Sequence, residues 1–197
     1  MRGRFISSYP RENAIQSLTD SQLVNLALSG RTEAFAGLYT RYRDSIYHYC
    51  LRLLKREDLA MDAVNETFLR MHESIATLRD GISLRAWLLS IARNYSFNSM
   101  RSARATEPLD PEGLSDDDTP YEIYVKEEQS ANLKSLIDNL KPLYREVIIL
   151  KEYEGLSYGE IAAITGSTES AVKSRLFKAR KALARALPAG WRERDNK

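Results

Sequence analysis

The chain has 197 residues, 43% of them hydrophobic and 28% charged, a composition typical of a protein that folds in water as one large domain or two small ones. It has no run of about 18 uncharged apolar residues that could span a membrane, and the segment MRGRFISSYPREN lacks the apolar centre of a secretory signal, so we expect a cytoplasmic protein. The net charge is only +2, which argues against a strongly basic nucleic-acid binder, and the single cysteine, Cys50, excludes an internal disulfide and predicts a buried thiol.

The near-neutral total hides an uneven distribution of charge along the chain. Residues 1–105 hold 15 basic and 10 acidic residues, and residues 130–197 hold 13 basic and 8 acidic residues. Between them, Thr106 to Gln129 holds nine acidic residues, one lysine and three prolines, which is typical of a linker. A tether that is merely solvated is an open alternative to a functional linker. The predicted boundaries are an N-terminal extension at 1–17, a first module at 18–105, the acidic linker at 106–125, a second module at 126–190 and a tail at 191–197.

The first module is predicted to contain four amphipathic helices. The first begins at a capping box of Thr19 and Gln22 and ends near Gly30. The second starts near Thr32 and carries apolar residues at spacings of three, four and seven, which are Phe35, Leu38, Tyr42, Tyr49 and Leu53. Four such helices are enough for a compact bundle.

The third and fourth helices complete this predicted bundle. The third covers roughly Glu57 to Ser74 and directs one apolar stripe inward, made of Ala60, Val64, Phe68 and Met71. After the break at Asp80 and Gly81, the fourth helix runs from Ser83 to about Arg104.

The second module carries the pattern of a helix-turn-helix. Ser157 and Glu160 form a capping box at the start of a short helix, with Leu156 and Ile161 as a hydrophobic staple around it. The sequence Thr-Gly-Ser at 165–167 then predicts a turn, and Ser167 is predicted to cap the next helix. A short helix, a turn containing glycine and a second helix are the elements of a helix-turn-helix.

At roughly 100° per residue, the second of these helices divides into two faces. The apolar face is formed by Val172, Leu176, Ala179 and Leu183. The opposite face carries Lys173, Ser174, Phe177, Lys178 and Lys181, with Arg175 and Arg180 at its flanks. Glu169 to Leu187 holds six basic residues and one acid, whereas a merely solvated face normally mixes both signs. We therefore predict contact with nucleic acid, with guanidinium groups near phosphates and Phe177 near thymine methyl groups.

The second module resembles region four of the extracytoplasmic-function sigma factors of bacterial RNA polymerase over 140–183, LKPLYREVIILKEYEGLSYGEIAAITGSTESAVKSRLFKARKAL. The first module resembles region two of that family through EAFAGLYTRYRDSIYHYCLRLLK, DAVNETFLRMHE and LRAWLLSIARNYSFNSMR, in that order. The resemblance implies an all-α protein of two helical domains joined by a flexible acidic linker. It also implies a promoter-specificity subunit that binds core polymerase, recognises two DNA elements and helps to open the duplex.

The resemblance implies a role for each module's exposed residues. In the family, the third helix docks on the clamp coiled coil of the largest polymerase subunit, and the matching residues here are Asp62, Asn65, Glu66 and Leu69. Asn65 departs from the glutamine that is more common there. The loop at about 75–83 and the fourth helix match the part that reads and melts the minus-ten element, for which the candidates are Arg85, Arg93, Asn94, Asn98 and Arg101. Asn98 stands where the family commonly has aspartate.

Two aromatic residues of the fourth helix, Trp87 and Tyr95, could stack on bases, although a core position is favoured for Trp87. In region four, the family contacts the minus-thirty-five element in the major groove through the positions of Lys173, Ser174, Phe177 and Lys178. Three further residues match the helix that meets the flap of the second-largest subunit, with core packing as an equal alternative, and they are Leu143, Val147 and Leu150. In the family the linker follows the RNA channel, and an anti-sigma factor is an expected partner.

Two other functional classes remain as alternatives. A free-standing helix-turn-helix regulator would bind DNA without polymerase, but such regulators usually dimerise on two half-sites and no additional dimerisation helix is evident. An enzyme is disfavoured, because His48 and His72 lie on different predicted helices and neither a metal-ligand spacing nor a glycine-rich phosphate loop occurs. No cofactor or metal is expected.

Overall fold

The computed structural model describes residues 15–78, 83–105 and 133–187 of the chain. Over these ranges the backbone forms α-helices, one 3-10 turn and one π-helical turn, without a strand, which confirms the all-α prediction. The α-helices are α1 (Asp20–Leu28), α2 (Thr32–Leu54), α3 (Glu57–Ser74), α4 (Leu84–Ala105), α5 (Leu133–Asp138), α6 (Pro142–Ile148), α7 (Tyr158–Thr165) and α8 (Glu169–Ala186). The 3-10 turn is Ile75–Thr77 and the π-helical turn is Ile149–Tyr153. Residues 1–14, part of the 75–83 loop, the acidic linker and the C-terminal tail lie outside the described residues.

Helices α1 to α4 form the first module around a continuous apolar core. The predicted inward residues of α2 and α3 are buried, with Leu38, Tyr49, Leu53, Ala60, Val64 and Met71 showing no exposed surface. Phe35 is only partly buried, and its ring meets the His72 ring edge-on at 5.3 Å. The packing of α2 against α3, and of α3 against α4, therefore follows the predicted apolar stripes.

The start of α1 is fixed by the predicted capping box. The Gln22 backbone N–H donates to Thr19 Oγ1 at 3.3 Å, and the Thr19 N–H donates to Gln22 Oε1 at 2.9 Å. An ion pair of 2.6 Å between Arg41 and Asp20 then holds this end of α1 to α2. These contacts satisfy backbone donors that a helix start leaves open and position α1 on the bundle.

Cys50 is fully buried, as predicted for a small apolar thiol. Burial raises the pKa of its thiol to about 12, because a thiolate is poorly solvated in an apolar core. The side chain is therefore held as a neutral thiol over the ordinary pH range.

Helices α5 to α8 form the second module and contain the predicted helix-turn-helix. The Ser157 and Glu160 capping box is present at α7, and Leu156 and Ile161 are buried beside it. Gly166 ends α7 with a φ of +62°, in the left-handed region that glycine adopts without strain. The short helix, the turn and the following helix are confirmed.

The cap of α8 differs from the prediction by one residue. Thr168, not Ser167, is the N-cap, and its Oγ1 accepts from the Ala171 N–H at 3.2 Å. The Ser167 hydroxyl lies 2.7 Å from Thr165 Oγ1 and so serves the turn. Both residues favour caps, so local propensity alone does not distinguish them.

The two modules are in direct contact through their helices. Helix α4 packs along α7, while α2 meets α6 and the π-helical turn. Arg52 of α2 stacks on the ring of Tyr153, with its Cζ 4.4 Å from the ring centroid. None of the helices within the described ranges combines the length and hydrophobicity needed to cross a membrane.

Candidate nucleic-acid interface

Helix α8 presents the two faces that its sequence predicts. Its apolar residues are buried and form the contact with the rest of the module, namely Val172, Leu176, Ala179 and Leu183. The predicted outward residues are exposed, namely Lys173, Ser174, Phe177, Lys178 and Lys181. Phe177 is 67% exposed, the largest exposed fraction among the large apolar side chains of the described residues.

The charged side chains of α8 interact with acids of the same module. Lys173 pairs with Glu169 at 3.7 Å, and Arg180 pairs with Glu152 at 2.6 Å. Both pairs are close to half exposed, and ion pairs in that position contribute little to stability. These two pairs therefore hold Lys173 and Arg180 only weakly.

The two predicted flanking arginines of α8 lie in different environments. Arg180 is exposed, as predicted. Arg175 is only partly exposed, and its positive charge acts to lower the pKa of Glu146. Arg175 therefore lies towards the side of α8 that faces the interior of the protein, whereas Arg180 lies on the exposed side.

The five candidates on α4 separate into two groups. Asn94, Asn98 and Arg101 are exposed on the helix. Arg85 and Arg93 instead make ion pairs with glutamates of the second module. The structure thus does not bring the five residues together on one open surface.

Arg93 is bound to a carboxylate that has no exposed surface. Its Nε donates to Glu146 Oε1 at 2.8 Å, and its side chain is only 16% exposed. Tyr49 of α2 also donates to Glu146 Oε1, at 3.1 Å. Burial raises the pKa of the Glu146 carboxyl, while Arg93 and Tyr49 oppose that change by stabilising the charged form.

Arg85 makes the second contact of this kind. Its guanidinium donates to a Glu154 carboxylate oxygen at 2.5 Å and to the Glu154 carbonyl oxygen at 2.9 Å. Ser45 of α2 donates to the same carboxylate at 3.1 Å. The Glu154 side chain is 6% exposed, so this carboxylate too is neutralised by the first module inside the contact between modules.

Trp87 and Tyr95 are both partly buried against the core. This position agrees with the core role favoured for Trp87. Burial raises the pKa of the Tyr95 phenol, and the charges of Asp62 and Glu66 on α3 act in the same direction. Neither ring stands free as a stacking platform in this arrangement.

Helix α3 presents a mixed acidic and apolar surface on the side opposite its buried stripe. Asp62 and Asn65 are exposed, and Leu69 is 56% exposed. Glu66 pairs with Arg70 at 2.6 Å and is partly covered by it. Met61, which the sequence reasoning did not select, is 49% exposed and widens the apolar part of this surface.

The three candidates for polymerase contact in the second module are mostly interior. Val147 and Leu150 have no exposed surface, so in this arrangement they serve the core. Leu143 is partly buried and is the one of the three that retains some exposed surface.

Glu146 and Glu154 were missed by the sequence reasoning, although a signal for Glu146 exists. Glu146 lies three residues after Leu143 and four before Leu150, so it occupies an apolar stripe. A carboxylate at such a position needs a cationic partner from elsewhere in the fold. Among the described residues no group of three or more His, Cys, Asp or Glu could hold a metal ion.

Comparison with known proteins supports the same division of the chain. The family model "Sigma-70 region 2" matches residues 38–106, and "Sigma-70, region 4" matches residues 130–183. The chain is 31% identical over 178 residues to the ECF RNA polymerase sigma-E factor of Haemophilus influenzae, an alignment that covers 84% of this chain and 93% of that protein. This chain belongs to the extracytoplasmic-function family of RNA polymerase sigma factors.

Other relatives of this sigma factor show the same pattern. It is 32% identical over 174 residues to the ECF RNA polymerase sigma factor BldN of Streptomyces coelicolor, covering 85% of this chain but spanning only 65% of that protein's length. A solved structure of the sigma factor RpoE with the anti-sigma factor NepR from Bartonella quintana matches with a TM-score of 0.60 and 27% identity, over 77% of this chain and 94% of that one.

Proposed function

We propose that this sigma factor directs core RNA polymerase to promoters with minus-thirty-five and minus-ten elements, and that it acts in the cytoplasm without catalysing a reaction of its own. The observation that carries the proposal is the outward face of α8, where lysines surround the exposed Phe177 on a helix that a capped helix-turn-helix holds in place. A helix of this kind is suited to the major groove.

The minus-thirty-five contact is assigned to α8. Lys173, Ser174, Phe177 and Lys178 form its exposed face and would meet base edges and methyl groups. Lys181 and Arg180 follow on the exposed side and would bind phosphates, which position the helix without reading sequence. Arg175 joins this set only if it turns outward from its partly buried position.

The minus-ten contact is assigned to α4. Asn94, Asn98 and Arg101 are exposed and available to the non-template strand in the arrangement described. Arg85 and Arg93 belong to the same helix and would follow the phosphate backbone once released from their carboxylates.

Polymerase docking is assigned to the surface of α3. Asp62, Asn65, Glu66 and Leu69 offer hydrogen-bonding groups around an exposed apolar centre, the composition of an interface core with a polar rim. The partner is the clamp coiled coil of the largest polymerase subunit. Leu143 is a candidate for the flap of the second-largest subunit.

An anti-sigma protein is a further proposed partner. The related sigma factor of Bartonella quintana was solved with an anti-sigma factor bound. The exposed Leu69 and Met61 of α3 would be attractive contacts for such a protein, because covering them would also exclude the polymerase.

The function is tested by run-off transcription with core polymerase over a promoter library. We expect transcripts that depend on the sigma factor, with two enriched sequence elements upstream of their starts. Tight promoter binding by the isolated protein, with no transcript when core polymerase is added, would instead establish a free-standing regulator.

The docking surface is tested by reversing its charge. Asp62→Arg with Glu66→Arg should abolish capture of core polymerase in a pull-down. The substitutions remove the two carboxylates that are proposed to accept hydrogen bonds from the clamp coiled coil and put positive charges in their place. The matched control is Glu57→Arg with Glu73→Arg, which makes the same change of charge at exposed positions of the same helix outside the proposed surface. Equal loss in the control would assign the effect to net charge rather than to this surface.

A further inference from the structure

A crevice of about 510 Å³ lies where the end of α2 meets α5 and the π-helical turn. This volume is in the range of pockets that hold small molecules, about 300–1,000 Å³. We call it the basic crevice, and it is lined by His48, Leu51, Arg52, Lys55, Glu57, Lys134, Ile137, Asp138 and Tyr153. None of these residues belongs to the surfaces assigned above to DNA or to polymerase.

The three permanent cations of the basic crevice have no acidic partner within the described ranges. Arg52, Lys55 and Lys134 form no ion pair there, although exposed arginines elsewhere, such as Arg43 and Arg56, do. Positive charges that line one cavity repel each other, and an anion placed between them removes that repulsion. The charge of the crevice therefore favours an anionic ligand.

Arg52 is held in place by an aromatic ring rather than by an anion. Its Cζ lies 4.4 Å from the centroid of the Tyr153 ring. A cation–π contact does not use the N–H donors of the guanidinium, so they remain available to an acceptor. An arginine that is already positioned also loses less conformational entropy when a ligand binds. Tyr153 is 46% exposed, so its ring can also contact a planar group.

The other lining residues add hydrogen-bond acceptors and apolar surface. Asp138 is partly buried, and burial raises the pKa of its carboxyl while the charge of Lys134 opposes that change. Glu57 is exposed at the start of α3. Two carboxylates repel a bare phosphate, but they accept hydrogen bonds from the O–H groups of a sugar or the N–H groups of a base. Leu51 and Ile137 supply apolar contact for a ring.

We propose that the basic crevice binds a nucleoside phosphate. The phosphates lie among Arg52, Lys55 and Lys134, which supply charge-assisted hydrogen bonds. The nucleoside lies against Tyr153, with Asp138 as an acceptor for its hydroxyl or amino groups. This site goes beyond the proposed function, because it would let a nucleotide act on the sigma factor away from its surfaces for DNA and polymerase.

Binding is measured by isothermal titration calorimetry of the full chain with ATP, GTP, adenosine and inorganic triphosphate. We expect at least one of the two nucleotides to bind with a Kd of about 100 μM. Adenosine and triphosphate should each bind at least about tenfold more weakly, because each makes only part of the contacts. The proposal is overturned if neither nucleotide binds, or if one of the two fragments binds as tightly as the nucleotide.

The site is located by removing two of its cations. Lys55→Gln with Lys134→Gln should weaken nucleotide binding at least about tenfold, through loss of hydrogen bonds to charged groups. Both side chains are exposed, so the urea midpoint should stay unchanged. The matched control is Arg31→Gln with Arg43→Gln, which removes the same charge from exposed positions outside the crevice. It should change the affinity by less than about twofold, and an equal loss would overturn the proposal.

A second control distinguishes the basic crevice from the cationic face of α8, which could also attract a polyanion. Lys178→Gln with Lys181→Gln should leave nucleotide affinity unchanged, because neither residue lines the crevice. Loss of binding in this variant, with normal binding in the crevice variant, would place the nucleotide on α8 and overturn the proposal.

The nucleoside contact is tested separately by Tyr153→Leu. This variant should lower the affinity for the nucleotide to about that for triphosphate, while the affinity for triphosphate itself changes less than about twofold. An unchanged nucleotide affinity would overturn the assignment of the nucleoside to this ring. Circular dichroism of each variant confirms that the helices are retained. The run-off result stands apart from all of these outcomes, because no residue of the crevice is assigned to promoter or polymerase.

Discussion

Helices α4 and α8 are both cationic and both assigned to DNA, but their cations are held in opposite ways. On α8, Lys173 and Arg180 make exposed ion pairs with acids of their own module. On α4, Arg85 and Arg93 make ion pairs with buried acids of the other module. The same residue types therefore form an open surface in one helix and a structural contact in the other.

This difference shows that the availability of a basic residue is decided by its acceptor. An exposed carboxylate on the same surface competes only weakly with a phosphate for the basic side chain, because water solvates both the carboxylate and the cation. A buried carboxylate competes strongly with a phosphate for the arginine, because the energetic cost of burying its charge is offset only while the arginine is bound to it. Counting arginines along a helix cannot distinguish these cases.

The largest expected effect comes from replacing Arg93, which is more deeply buried than Arg85. Arg93→Met should lower the free energy of unfolding in urea by about 3 kcal/mol, because Glu146 is left buried without the guanidinium that donates hydrogen bonds to it. Arg101→Met, an exposed arginine of the same helix, is the control and should change stability by less than about 0.5 kcal/mol. Equal stability of the two variants would show that the contact between modules does not depend on this pair.

The next largest effect concerns α8, whose cationic face is exposed. Phe177→Ala with Lys178→Ala should weaken binding of polymerase holoenzyme to promoter DNA by about 2 kcal/mol, the size of one good base contact. Both side chains are exposed, so the urea midpoint should stay unchanged. A gel shift with holoenzyme gives the affinity, and a pull-down with core polymerase should show normal capture. A lost capture would contradict the assignment to DNA.

A smaller effect isolates one hydrogen bond of the contact between modules. Tyr49→Phe keeps the buried ring but removes the donor to Glu146, at 3.1 Å in the structure. The free energy of unfolding should fall by about 1.5 kcal/mol, as for a hydrogen bond to a charged group. Tyr47→Phe is the control, since that ring lies on the same helix and is only partly buried. Equal losses in both variants would assign the effect to phenol removal in general.

The smallest effect concerns the helix-turn-helix that supports α8. Ser157→Ala should reduce stability by about 1 kcal/mol through loss of the cap. The Ser157 hydroxyl and N–H hold the pKa of Glu160 below its usual value. Stabilisation by Glu160 is therefore present above its unfolded pKa of about 4.3 and is lost as the pH falls through the lower folded value. Urea unfolding at descending pH should show the difference between the variants shrinking, and a constant difference would contradict this role of Glu160.

Much of the fold could be predicted because its signals are local. Thr19, Ser157 and Gly166 act within one helical turn, and each does so in the structure as its sequence context indicates. The two faces of α8 follow from helical periodicity alone. The predicted N-cap of α8, Ser167, was wrong by one residue, because neighbouring Ser and Thr residues have similar capping propensity.

The environment of α4 could not be predicted, because it depends on contacts that are distant in the sequence. Arg93 meets an acid 53 residues away, and Arg85 meets one 69 residues away. Neither separation leaves a periodic pattern. The contact also crosses the acidic linker, whose composition favours independent modules and gives no indication that they pack together.

The π-helical turn at Ile149–Tyr153 determines the angle between the two buried acids, Glu146 and Glu154, around the helix axis. Glu146 and Glu154 are eight residues apart, a separation that would place them about 80° apart around a regular α-helix. The Glu154 N–H donates to the Ile149 carbonyl, five residues earlier, at 3.1 Å. Such a turn holds about one extra residue and rotates the following chain back by about 100°, which brings both carboxylates towards the same side. Deleting one residue from this turn would leave the composition of the module almost intact but direct Glu154 away from Arg85.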